Sequence, residues 1–70
     1  MSLGTAIRSR REERNLTQID LAALLGWSQA RVSRVELDKV EPDLQALREL
    51  GKALDVAPAD LAGHAFSEAA

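Results

Sequence analysis

Apolar residues recur along the chain in short runs at helical spacing, separated by turn-forming residues, and the pattern predicts five helices. Leu3, Ala6 and Ile7 share one face of residues 3–14, while four Arg and two Glu of that stretch project elsewhere, as on an amphipathic surface helix. Asn15 follows, one of the few residues besides Gly that accept a left-handed conformation after a last helical turn. Leu16-Thr17-Gln18-Ile19-Asp20 then reads as a helix start. The Thr17 hydroxyl can accept the Asp20 N–H, the Asp20 carboxylate can reach back, and Leu16 is the apolar residue before the cap.

That second helix, 18–25, runs through Leu21, Ala22 and Leu25 and meets Gly26, suited to a positive φ. Ser28 can cap a third helix, 29–37, in which only Val32 and Val35 are apolar at i, i+3 spacing, so most of its surface is exposed. Residues 38–43 form a loop, because Pro42 biases Glu41 away from helix and Asp43 is a strong N-cap. The fourth helix, 44–54, puts Leu44, Leu47, Leu50 and Leu54 on one side, with Gly51 and Ala53 allowing close approach of a neighbour. Val56-Ala57-Pro58 breaks it, Pro58 can open a short fifth helix, 58–63, containing Leu61, and residues 64–70 are expected to fray.

Composition narrows the class. Seventy residues make one domain near the lower limit for a single hydrophobic core. With no Tyr, one Phe and one Trp, that core must be built from Leu, Ala, Val and Ile, which favours an all-α fold of packed helices. The absence of Cys removes disulfides, thiolate metal sites and cysteine nucleophiles together. No stretch resembles a signal peptide or approaches the ~20 apolar residues of a membrane span, so a cytoplasmic location is expected. His64 stands alone in the tail with no second ligand nearby, and no nucleophile-base pair or metal cluster suggests itself. No catalytic activity, metal or cofactor is expected.

The net charge of −2 argues against a generic polyanion binder, but its distribution is uneven. Residues 1–36 carry six Arg against four acids, whereas residues 37–70 carry three bases against seven acids. Arg8, Arg10 and Arg14 are read as surface charges.

Ala22, Gly26, Val32 and Val35 each have a steric reason if two helices cross sharply. Ala22 admits the second helix, Gly26 makes the turn, and the two valines anchor an outer helix whose opposite face stays in solvent. With these positions the stretch LTQIDLAALLGWSQARVSRVE, followed by a proline loop and LQALRELGKALDV, resembles the phage-repressor and Cro-like (Cro/C1-type, or XRE-type) helix-turn-helix family. The resemblance covers residues 3–61. It implies a five-helix lambda-repressor-like domain whose second and third helices read duplex DNA.

The same resemblance assigns roles residue by residue. Gln18 would hydrogen-bond a phosphate, helped by the helix N-terminus at Thr17. Gln29, Ala30, Ser33 and Arg34 would face the major groove, with Arg31 close to the adjacent backbone and Ser28 and Lys39 completing the DNA-binding set. Arg11 and Glu36 map onto a salt bridge joining the first helix to the end of the third, with Arg11 also near DNA. Trp27 stands where the family has a smaller aliphatic residue and is read as a ring covering the junction of two helices rather than one that stacks on DNA. Asp38 and Asp55 replace glycines, and Ala57 replaces the usual hydroxyl cap of the fifth helix.

The implied function is that of a transcriptional regulator, a repressor or autoregulator, acting as a homodimer on a pseudo-palindromic operator. Val56, Pro58, Leu61 and Phe66 are the candidates for the dimer interface, being apolar residues in a segment too small to bury them all. The rival reading is an antitoxin or accessory module on the same fold, with a toxin or polymerase as protein partner and the acidic half as its surface.

Overall fold

The computed structural model describes residues 2–57 and 59–61. Four helices, α1 (Leu3–Glu13), α2 (Gln18–Leu25), α3 (Gln29–Glu36) and α4 (Leu44–Leu54), follow one another, and residues 59–61 are helical again. Among the described residues there is no strand, and no helix is long and apolar enough to cross a membrane. Pro58, Phe66 and the tail 64–70 lie outside the described residues.

Each helix begins on a side-chain oxygen. Ser2 accepts from the Thr5 N–H, Ser28 from Arg31 and Asp43 from Ala46, while Thr17 and Asp20 form a reciprocal capping box. Each helix also ends on a left-handed residue, but only one of the four is Gly: Asn15 (φ 58°), Gly26 (φ 70°), Asp38 (φ 59°) and Asp55 (φ 56°). After each, the next residue donates its N–H back to a carbonyl of the last turn, as in Leu16 to Arg11 (3.1 Å), Trp27 to Ala22 (2.9 Å), Lys39 to Arg34 (2.9 Å) and Val56 to Gly51 (2.9 Å). This closure satisfies carbonyls that a helix end otherwise leaves orphaned.

The helices close on a core of Ile7, Leu21, Ala22, Val32, Val35, Leu50, Leu54 and Leu61, with Leu3, Leu16, Leu25, Trp27, Ala53 and Val56 packed against it. Burying a side chain such as Leu50 or Leu54 contributes roughly 1.5–3 kcal/mol. Two details depart from the apolar pattern. Leu44 is 63 % exposed, because it occupies the first turn of α4 before that helix reaches the core. Leu61 is 2 % exposed, so its apolar surface is taken up by the chain's own core and none is left for a partner.

Candidate nucleic-acid interface

Helix α3 is held by one stripe and presents the other. Val32 and Val35 are buried, while Gln29, Ala30, Arg31 and Arg34 are exposed and Ser33 is half-buried. The α2–α3 turn, Gly26-Trp27-Ser28, is short because Gly26 supplies the left-handed residue and Ser28 at once caps the next helix. The polar face of α3 is therefore fixed relative to α2 by backbone chemistry at both ends of the turn.

Beneath this face lies a chain of hydrogen bonds. Arg11 Nε donates to Glu36 Oε2 at 2.7 Å and Arg11 Nη2 to Glu36 Oε1 at 3.1 Å, a fork-to-carboxylate pair between α1 and the last turn of α3. Both residues are buried, and Arg11 Nη1 donates to the Leu16 carbonyl at 2.7 Å. The hydrogen bond to Glu36 raises the Arg11 pKa above its ordinary value, against the lowering effect of burial. Glu36 Oε1 also accepts from Gln18 Nε2 (3.1 Å), and Gln18 Oε1 accepts from Gln29 Nε2 (3.4 Å). One buried carboxylate thus orients a side chain at the start of α2 and, through it, the first side chain of α3. Three of its five guanidinium N–H groups are so engaged, which makes Arg11 a strut of the site.

The remaining cations divide by whether a carboxylate holds them. Arg8 lies 3.6 Å from Glu12, Arg10 3.2 Å from Glu13 and Arg14 3.5 Å from Asp55. These pairs are solvent-exposed to different degrees and contribute ~1 kcal/mol or less each. Among the described residues, Arg31, Arg34 and Lys39, on and just after α3, and Arg48 and Lys52, on α4, have no carboxylate within ion-pair distance, and all five are exposed. Among the described residues, the positive charge of the N-terminal half is thereby neutralised on α1 and left uncompensated on α3. The excess of arginines can be counted in the sequence, but only packing shows which of them a carboxylate holds.

Arg10 is more than a surface charge. Besides Glu13 it reaches the end of α4, where Nε donates to the Leu54 carbonyl (3.1 Å) and Nη2 to the Asp55 carbonyl (3.0 Å). It caps the C-terminus of α4 with a cation, where the helix dipole favours one. No sequence signal marked this, because its partners lie 44 and 45 residues away.

Trp27 is half-buried against the core at the α2–α3 junction, and the Arg31 Cζ lies over its ring, 3.7 Å from the centroid. Thr17 and Ser28 are exposed caps whose oxygens accept the Asp20 and Arg31 N–H groups. The Ser28 hydroxyl proton remains available to an acceptor. Of the residues proposed for a dimer interface, Val56 is half-buried, Leu61 is in the core, and Pro58 and Phe66 lie outside the described residues.

Gly4 was not singled out by the sequence, yet it sets the approach of α1 to the end of α3. Its N–H donates to Asp38 Oδ1 at 2.9 Å. A Cβ at this position would lie 2.6 Å from the Val35 carbonyl oxygen, 2.7 Å from Asp38 Oδ1 and nearer still to the Glu36 carbonyl oxygen.

A family model described as helix-turn-helix matches residues 7–61. The immunity repressor protein of Bacillus phage phi105 is 32 % identical over 63 residues, covering 90 % of this chain and 44 % of the phage protein, so the chain spans less than half the length of that relative. The crystal structure of the P22 c2 repressor protein in complex with synthetic operator 9T superposes with a TM-score of 0.82 at 33 % identity, over 87 % of this chain and 92 % of that one. The solution structure of the DNA-binding domain of the P22 c2 repressor gives a TM-score of 0.85 at 32 % identity, over 89 % of this chain and 82 % of that one.

Proposed function

The chain belongs to the helix-turn-helix family of phage repressors, and from that membership we propose that it is a sequence-specific, duplex-DNA-binding transcriptional repressor with α3 as its reading helix. One observation carries the reading to this chain's own residues: the exposed face of α3 bears the guanidinium groups of Arg31 and Arg34, uncompensated among the described residues, while α1's arginines are held by carboxylates.

On this reading Gln29, Ala30, Ser33 and Arg34 meet base edges in the major groove. Arg pairs bidentately with guanine, Gln with adenine, and the Ala30 methyl contacts a thymine methyl. Gln18, Thr17, Ser28, Arg31 and Lys39 bind phosphates, which fixes the register of α3 without reading sequence. Glu36 contributes through Gln18, whose amide it orients, and Arg11 through Glu36.

Few base contacts per chain supply limited discrimination, since each correct base pair is worth ~1–3 kcal/mol. We therefore assign a two-fold dimer that reads a pseudo-palindrome with half-sites about 34 Å apart. Its interface would form from the segment after α4, with Val56, Pro58 and Phe66 as the candidates that remain.

Selection from a random duplex library with the purified chain tests the proposal. The expected result is a bipartite consensus whose affinity falls steeply as salt rises. Failure to enrich any sequence overturns it.

A second reading, a protein-interaction module, has one observation in its favour. Leu24 is 61 % exposed on α2 and lines a 440 Å³ groove with Leu25, Glu49, Lys52 and Ala53, on a surface that includes none of the α3 reading face. Partner binding there would be little weakened by salt, in contrast to DNA binding.

A further inference from the structure

Arginine side chains are long and flexible, so an exposed one ordinarily loses rotamer freedom when it docks on an anion. Arg31 is exposed and, among the described residues, unpaired with any carboxylate, yet it is not free. Its Cζ lies 3.7 Å from the centroid of the Trp27 ring, well inside the ~6 Å reach of a cation–π contact.

The ring is a fixed platform. The Trp27 backbone N–H donates to the Ala22 carbonyl at 2.9 Å as part of the α2 closure, and its side chain packs against the core. Arg31 stands four residues on, in the first turn of α3, where its own N–H is held by the Ser28 cap at 3.1 Å. A guanidinium held over an aromatic face still presents its N–H groups in its own plane, so stacking leaves donors available.

The surroundings show what the ring prevents. Trp27, Arg31 and Arg34 line a 340 Å³ groove between α3 and the loop leading to α4, and Glu41 and Asp43 line it too. Neither carboxylate pairs with either arginine. Without the ring, Arg31 has two nearby acids as competing partners.

We propose that Trp27 is a positioning residue for DNA binding: it holds the Arg31 guanidinium over its ring, off the acidic wall of the groove, so that its N–H groups are presented in advance to a backbone phosphate. The inference rests on the DNA-binding reading given above. It assigns to Trp27 a part that neither its contacts with the core nor base stacking would give it.

A double-mutant cycle on a labelled mixed-sequence duplex at low salt tests it, because a phosphate contact is read on any sequence. Trp27→Leu should weaken binding about two- to five-fold, and Trp27→Phe, which keeps an aromatic face, should recover part of that loss. In an Arg31→Ala background, Trp27→Leu should have no further effect. Trp27 is the only tryptophan, so acrylamide quenching of its fluorescence reports the stack directly and should rise in Arg31→Ala. If Trp27→Leu does not fold by circular dichroism, the cycle is run with Trp27→Phe, for which the coupling shrinks but keeps its sign.

Additive effects of the two substitutions, or quenching unchanged by Arg31→Ala, overturn the inference and leave the DNA-binding reading standing. Absence of duplex binding by the wild-type chain, together with no enrichment from a random library, overturns that reading and this inference with it.

Discussion

The backbone N–H of Gly4 donates to the carboxylate of Asp38 across 2.9 Å, joining the first turn of α1 to the turn that ends α3. Asp38 stands where a glycine would be the least strained choice, since its φ is 59°. Its side chain compensates by capping an orphan N–H of another helix. The contact exists only because residue 4 has no Cβ to hold the α3 carbonyls away.

Gly4→Ala is accordingly expected to destabilise the chain, although Ala is favoured over Gly inside a helix by ~1 kcal/mol. Two backbone carbonyls occupy the space of the new methyl and cannot rotate aside, so overpacking of roughly 1–3 kcal/mol should prevail. Thermal or urea unfolding checks the sign, and a stabilised variant would show that α1 shifts freely.

Asp38→Gly and Asp55→Gly should behave differently at the same backbone geometry. The left-handed conformation costs an L-residue about 1–2 kcal/mol, less for Asp, and the gain from relieving it with Gly is partly offset by the greater freedom of Gly in the unfolded chain. For Asp55, whose carboxylate makes only an exposed pair with Arg14, the net gain should be about 0.5 kcal/mol. For Asp38 the gain should vanish or reverse, because the hydrogen bond to Gly4 is lost. Equal shifts in the urea midpoints of the two variants would contradict the capping role.

Glu36→Gln should be the most damaging conservative change in the site. It leaves the buried Arg11 cation without its counterion, at a cost of about 3 kcal/mol, in a domain whose whole stability is on the order of 4–10 kcal/mol. Replacing both partners by apolar residues, as in Arg11→Met with Glu36→Leu, should restore most of the stability while still weakening DNA binding, because Gln18 loses its acceptor. Denaturation and duplex titration of the same proteins separate the two effects.

Acid should loosen the start of α2. The Thr17 N–H, and then the Thr17 hydroxyl, hold the Asp20 carboxyl below its ordinary value. A depressed folded pKa gives stability that is present above the unfolded value of about 3.9 and is lost as pH falls through the lower folded value. Asp20→Asn should therefore show a shallower fall in stability than wild type between about pH 5 and pH 2. Identical profiles would mean that the capping box contributes nothing measurable.

Arg34→Ala should relax base preference, with discrimination at one position per half-site reduced by ~1–3 kcal/mol, whereas Gln18→Ala should weaken binding to all sequences alike. A randomised-site selection returning the wild-type consensus and strength from Arg34→Ala would mean that α3 is misassigned as the reading helix.

The four helices, the caps Thr17, Ser28 and Asp43 and the polar outer face of α3 were legible in the residues because each depends on neighbours close in the chain. A hydroxyl or carboxylate meets an N–H three positions on, a left-handed residue closes the turn just behind it, and Val32 and Val35 select one stripe of one helix. Ends moved by only one residue, as at Arg14 and Leu37, which became caps of α1 and α3. What a charge or a large apolar side chain touches is a long-range matter, and there only the tertiary structure decided. It turned Arg10 from a surface charge into the cap of α4, drew Leu61 into the core, left Leu44 in solvent, and set the Asp38 carboxylate on Gly4. The number of arginines is written in the sequence, but which of them remain open to an anion depends on which carboxylates the packed helices bring within reach.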